Sequence, residues 1–169
     1  LFQKNRRKLI KYIQPNSIAI IHSNDQMPRN GDQFFDFKQS SDLFYLSGID
    51  QEKTILTLCP NHPNKALREI LFIIESNDRI AVWEGHKYTK EEARKTSGIE
   101  TIKYLSEYES TFKELAIRSE NIYINLNENP RFVPEVISAN ERCVENLKKN
   151  FPAHELKRLA PILKALRLK

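Results

Sequence analysis

Hydrophobic and polar positions alternate in two rhythms along the chain. Phe2, Arg6, Leu9, Ile10 and Ile13 recur at helical spacing, which predicts an amphipathic helix over residues 2–13. Its outer face is basic, the basic cluster Lys4-Asn5-Arg6-Arg7-Lys8 sits on it, and Pro15 and Asn16 stop the helix. Ser17–His22 is a continuous apolar run, the mark of a buried strand. Lys53–Cys59, Glu69–Glu75, Ile99–Ile102 and Asn121–Leu126 read as further strands, rich in Ile, Leu, Thr and Phe. Arg79–Trp83 is short and ambiguous. Thr89 and Glu92 form a capping box that opens a helix running to Ser97, closed by Gly98. Ser106 and Glu109 form a second box, before a helix that carries Tyr108, Phe112, Leu115 and Ala116 on one side. Pro134 suits the first turn of the next helix, with Val136, Ile137, Val144 and Leu147 inward. Phe151-Pro152 breaks it, and a last helix starts near Pro161. This alternation predicts an α/β fold: one mixed sheet with helices on both faces.

The least generic stretch is Arg29–Ile49, RNGDQFFDFKQSSDLFYLSGI. It packs five aromatics (Phe34, Phe35, Phe37, Phe44, Tyr45) between polar turn residues. Gly31 offers a positive φ for a turn. Gln33–Lys38 reads as a loop or strand. Ser41 or Asp42 caps a short helical turn over Asp42–Leu46, and Gly48 closes it. Beside such a turn, Phe44 and Tyr45 are expected in the core.

That stretch resembles the N-terminal domain of the Xaa-Pro aminopeptidases (aminopeptidase P), within the creatinase/prolidase group. The resemblance rests on Arg29-Asn30, Gln39-Ser40-Ser41-Asp42, Phe44-Tyr45-Leu46-Ser47-Gly48 and the strand Thr54–Cys59. Two further segments extend it in order: Val82-Trp83-Glu84-Gly85 followed by a helix and Ser97-Gly98-Ile99, and Leu159 to Lys169 (LAPILKALRLK). The resemblance implies a mixed, about six-stranded sheet of ribonuclease H-like arrangement. It also implies domain limits: residues 1–158 as a non-catalytic domain, and 159–169 as the segment leading to a C-terminal pita-bread catalytic domain. Family members cleave the bond between an N-terminal residue and a following proline with two divalent ions, usually manganese. Two Asp, one His and two Glu in the catalytic domain hold those ions, and nothing in this chain matches them. Trp83 matches a family tryptophan that lies at the rim of a neighbouring subunit's substrate groove. A homo-oligomer, in which this domain serves association and access, is the corresponding expectation. Related pita-bread proteins that have lost peptidase activity use the same kind of domain for binding, as in histone-chaperone subunits, and supply the alternative.

Composition narrows the rest. Of 169 residues, 40% are hydrophobic and 29% charged, which fits one folded domain and excludes a disordered chain. Only 4 glycines are present, so no glycine-rich phosphate loop is available. The net charge is +5, but 22 acids are scattered among 27 bases, so no nucleic-acid face is expected. No run approaches the roughly 18 apolar residues of a membrane span. Cys59 and Cys143 are far apart and read as small core residues; without a disulfide framework a reducing cytoplasm is expected. The start, Leu1-Phe2-Gln3-Lys4, is neither a signal peptide nor an initiator, and reads as a trimmed end.

Candidate chemistry is sparse. His22, His62, His86 and His154 fall one per segment, and His22 with Asp25 is the nearest approach to a ligand pair. Asp32, Asp36, Asp42 and Asp50 lie in or beside the aromatic stretch. A nuclease would need them on one edge, yet Asp32 and Asp42 read as turn and cap residues. Ser47 lacks the frame of a nucleophile elbow. No metal ligand and no catalytic residue is therefore assigned in this chain, and Trp83 is the one candidate contact. The stripe Ile162, Leu163, Leu166 and Leu168 is expected to pack poorly within this domain, or against another copy.

Overall fold

The computed structural model describes residues 1–75, 85–131, 133 and 135–168. Arg79–Trp83 and Pro134 thus lie outside the described residues. The elements run α1 (Phe2–Ile10), β1 (Ser17–His22), β2 (Pro28–Asn30), β3 (Gln33–Phe34), α2 (Ser41–Ser47), β4 (Ile55–Leu58), β5 (Glu69–Ile73), α3 (Lys90–Ser97), β6 (Thr101–Tyr104), α4 (Tyr108–Ile117), β7 (Asn121–Ile124), α5 (Ala139–Asn150), β8 (Glu155–Arg158) and α6 (Ala160–Arg167). Six strands form one mixed sheet in the order β6-β5-β4-β1-β7-β8. The β1–β4 and β4–β5 pairs are antiparallel, and the other three pairs are parallel.

The period-2 alternation of side chains splits the core in two. Ala19, Ile21, Leu56, Leu58, Leu71, Ile73 and Tyr123 face one way, against Leu9 of α1, Leu43 and Leu46 of α2, Ala93 of α3 and Leu163 of α6. Ile18, Ile20, Ile70, Phe72, Ile122 and Ile124 face the other way, against Phe112, Leu115 and Ala116 of α4 and Leu147 of α5. Both faces are covered, so β1 shows no polar alternation; this is why Ser17–His22 is legible as a continuous apolar run.

Several elements depart from their expected form. α1 ends at Ile10 rather than residue 13, although turn hydrogen bonds from Tyr12 N to Leu9 O (2.9 Å) and Ile13 N to Ile10 O (3.2 Å) still tuck Ile13 into the core. Arg6, which shares the helical spacing of Phe2, Leu9 and Ile13, is fully buried even though it belongs to the basic cluster. The cap of α2 is Ser40, not Ser41 or Asp42: Ser40 Oγ accepts from Leu43 N. The expected Ser106–Glu109 box does not form. Glu107 instead accepts from Tyr104 N at 2.9 Å, and a short 3-10 turn leads into α4. α5 starts at Ala139, several residues after the proline expected to open it. Ser138 and Glu141 form its capping box, with Glu141 Oε2 accepting from Ser138 N at 2.7 Å. Val136 and Ile137 precede that box and are exposed rather than inward.

The sixth strand, β8 (ELKR), was not expected from the sequence, because it is polar. It is an edge strand pairing with β7 on one side only, and charged residues on an edge discourage pairing with other chains. The C-terminal stripe is also corrected. Leu163 and Leu166 are buried in the first core and Ile162 packs at its border, because α6 closes that layer beside α1. Leu168 alone of the four is exposed, at 78%.

Candidate functional site

The aromatic stretch Arg29–Ile49 builds a small antiparallel hairpin, β2–β3, turning through Gly31 at φ 56°, and then the capped helix α2, closed by Gly48 at φ 71°. Gln39 fastens the entry to α2. Its Nε2 donates to Ile49 O (3.0 Å) and Gln51 O (2.8 Å), while its Oε1 accepts from Ser40 N (2.8 Å). On a seven-residue helix only one side can face the sheet, and Leu43, Leu46 and Ser47 take it. Phe44 therefore points outward, contrary to the expected core position, and meets Phe2 edge-on at a ring separation of 6.1 Å. Tyr45 is half-buried against the first core, with its hydroxyl donating to Leu166 O at 3.4 Å. Phe34 and Phe35 are more than half exposed. The stretch thus presents aromatic surface: an open groove of about 540 Å³ is lined by Phe2, Phe37, Phe44 and Tyr45, with Arg167 at its side.

The carboxylates do not converge. Asp32, Asp36 and Asp50 are exposed, whereas Asp42 accepts from Arg167 Nη1 (2.8 Å) and from Asn125 Nδ2 (2.9 Å). That pairing ties α2 to α6 and to the loop after β7. It lines a polar cleft of about 850 Å³ at the C-terminal ends of β1, β7 and β8. Asp42 is expected as a cap, and nothing in its sequence spacing signals these partners, which lie 83 and 125 residues away.

The histidines are separate as well. His22 Nδ1 donates to Asn140 Oδ1 at 3.3 Å, and burial holds the imidazole neutral, with its pKa down at about 4. Asp25 is occupied otherwise. Its carboxylate accepts from Ala139 N (3.0 Å) and Arg142 Nη2 (2.6 Å), at the start of α5. His86 contacts Glu92, and His154 donates through Nε2 to Ala116 O at 2.9 Å. Burial pushes the Cys59 thiol up, and the Cys143 thiol up to about 12, so both stay protonated at neutral pH. Among the described residues no group of three or more His, Cys, Asp or Glu is placed to hold a metal ion. Trp83, the one candidate contact, lies outside the described residues.

The mixed sheet and the aromatic helix-turn of residues 29–49 have a counterpart among known proteins. The model of the family "Aminopeptidase P, N-terminal domain" matches residues 2–123. The chain belongs to that family. An Xaa-Pro aminopeptidase of Escherichia coli is 23% identical over 152 residues, covering 90% of this chain and 34% of the relative. An Xaa-Pro aminopeptidase of Haemophilus influenzae is 22% identical over 167 residues, covering 99% and 36%. The chain therefore spans about a third of the length of these relatives. Among solved structures, a candidate aminopeptidase P from Bacillus anthracis superposes with a TM-score of 0.86 at 24% identity, over 98% of this chain and 39% of that one. The low-pH form of E. coli aminopeptidase P superposes with a TM-score of 0.76 at 21% identity, over 99% and 38%. At these identities the superpositions establish the fold, the mixed six-stranded α/β domain expected from the sequence. The relatives are peptidases, so the binding-scaffold alternative gains no support from them.

Proposed function

We propose that this chain serves as the N-terminal, non-catalytic domain of a cytoplasmic, manganese-dependent Xaa-Pro aminopeptidase, and that it shapes subunit association and access to the active site. One observation carries the reading: the family match runs from residue 2 to residue 123, while the chain accounts for only about a third of its peptidase relatives. In this reading residues 1–158 form the domain, and 159–169 lead toward a pita-bread catalytic domain. The substrates are peptides with proline at the second position. The two manganese ions would supply a bridging hydroxide as nucleophile. They have no converging donor set among the described residues here, so the residues of this chain are given no step in that chemistry. What the chain contributes is a rigid mixed sheet and exposed aromatic surface around Phe34, Phe35 and Phe44.

Trp83 extends the proposal. An indole offers a large, rigid apolar face with one donor, suited to closing a groove or stacking on proline. By resemblance it acts in trans, at the mouth of a neighbouring subunit's active site. Trp83→Ala in the full-length protein should lower kcat/KM by about one to two decades with little change in melting. A core tryptophan would behave otherwise, losing roughly 3–5 kcal/mol of stability on truncation with unchanged kinetics in the surviving protein. That second outcome would reject the in-trans role.

A further inference from the structure

Helices α4 and α5 cover the second face of the sheet, and a groove of about 790 Å³ opens between them. Its walls are aromatic. Tyr108 and Phe112 stack on one another at 5.7 Å, and Phe151, at the end of α5, meets Phe112 edge-on at 5.2 Å. Cys143 lies on the opposite wall, and Ile117 stands at the lip with 85% of its surface exposed. The apolar surface of this groove is thus concave and continuous with the core beneath it. That is the form of sites which enclose small molecules, whose volumes run from about 300 to 1,000 Å³.

Asn146 and Asn150 add polar groups to the α5 side, and His22 and Lys113 give the groove a direction. His22 lines its inner end; because Nδ1 donates to Asn140, Nε2 is left as an acceptor for a ligand N–H or O–H. Lys113 lines it as well and is exposed. Glu109, four positions earlier on α4, also lines the groove, but among the described residues neither it nor any other carboxylate pairs with Lys113. The other cation, Arg142, is already engaged by Asp25 and by Ile137 O (2.7 Å). Lys113, unpaired among the described residues and beside the aromatic wall, can meet a ligand with a single anionic head.

We propose that this groove is a binding site for a small amphipathic anion, a flat aromatic or acyl body with one carboxylate or sulfonate group that meets Lys113. The site lies among α4, α5 and the end of β1, and the proposal does not depend on the peptidase reading.

The test is fluorescence titration of the chain with 8-anilinonaphthalene-1-sulfonate, beside the uncharged N-phenyl-1-naphthylamine. The expected result is saturable binding of one sulfonate probe per chain. Cys143→Trp, which fills the groove, should abolish binding of both probes. Lys113→Glu should weaken the sulfonate by about tenfold, the effect of losing one charge contact, and leave the uncharged probe unchanged. Lys113 is on the surface, so this second variant decides the matter even if Cys143→Trp does not fold. Non-saturating binding, or saturable sulfonate binding that Lys113→Glu leaves unaltered, would overturn the proposal.

Discussion

Arg6 Nε donates to Glu69 Oε2 at 2.9 Å, across 63 residues of sequence, with the arginine side chain fully buried. The same guanidinium donates from Nη1 to Leu46 O (2.8 Å) and Ser97 O (2.9 Å), and from Nη2 to Gly98 O (3.4 Å). Its targets are the C-terminal ends of α2 and α3, where carbonyls lack helical partners and the helix dipole is negative. Both helices end in Ser-Gly-Ile: residues 47–49 and 97–99. In each, the serine hydroxyl donates back four residues, to Leu43 O (2.8 Å) and Ala93 O (2.7 Å). Arg6 thus clamps two equivalent helix ends and the start of β5.

Replacing Arg6 should therefore cost far more than replacing a surface cation. Arg6→Ala is expected to lose about 3–5 kcal/mol, because it strands the Glu69 carboxylate and leaves buried carbonyls unpaired. Arg6→Lys should also destabilise, since a compact ammonium cannot span acceptors on three elements. Urea unfolding of both variants checks this. An Arg6→Lys protein within about 0.5 kcal/mol of the parent, the range of ordinary surface changes, would show that the clamp is not needed.

Gly48 and Gly98 close those same helices with nearly equal φ, 71° and 68°, yet their surroundings differ. A Cβ on Gly48 would meet the Phe2 ring at 2.2 Å, whereas a Cβ on Gly98 would meet nothing within 4 Å. Gly98→Ala should cost only the left-handed strain, about 1–2 kcal/mol. Gly48→Ala carries that strain and must also displace Phe2 and the start of α1. Its loss in thermal unfolding should exceed that of Gly98→Ala clearly, and Phe2→Ala in the same chain should bring the two into line. Equal losses would contradict the packing of Phe2 on Gly48.

The buried imidazole of His22 makes stability depend on pH. Its pKa falls from 6.5 to about 4 on folding, through desolvation, so the unfolded chain binds more protons between those values. Its contribution is then fully present above about pH 6.5, and is lost as the pH falls toward 4. The loss amounts to at most about 3 kcal/mol. His22→Asn should flatten that part of the stability–pH curve. An unchanged slope between pH 6.5 and 4 in the variant would show that other groups produce it.

The sequence carried much of this fold in plain view, wherever a local rule was enough. The apolar run of β1, the Thr89–Glu92 box and the closing glycines Gly48 and Gly98 all stand where local chemistry puts them. What stayed hidden depends on partners far away in sequence. Arg6 looks like one of six polar residues in a row, Gln3 to Lys8, until Glu69 and two helix ends surround it. β8 has no apolar signature, since only its register with β7 makes ELKR a strand. Phe44 and Tyr45 are adjacent aromatics, and helical geometry alone sends one outward and the other toward Leu166. At the candidate site, Asp42 was visible as a carboxylate but its ties to Arg167 and Asn125 were not. Ser138–Glu141 is the exception: this capping box is readable in the sequence, and it, not the proline before it, starts the helix.

The most direct test of the proposed role compares release of the N-terminal residue from an Xaa-Pro peptide by the full-length protein and by residues 1–169 alone. Both are assayed with added manganese, and manganese binding is titrated on the same samples. The proposed role predicts manganese-dependent release by the full-length protein only, with no stoichiometric, micromolar manganese binding by the 169-residue chain. Measurable release or tight manganese binding by residues 1–169 alone, or a full-length protein that leaves Xaa-Pro peptides intact, would contradict it.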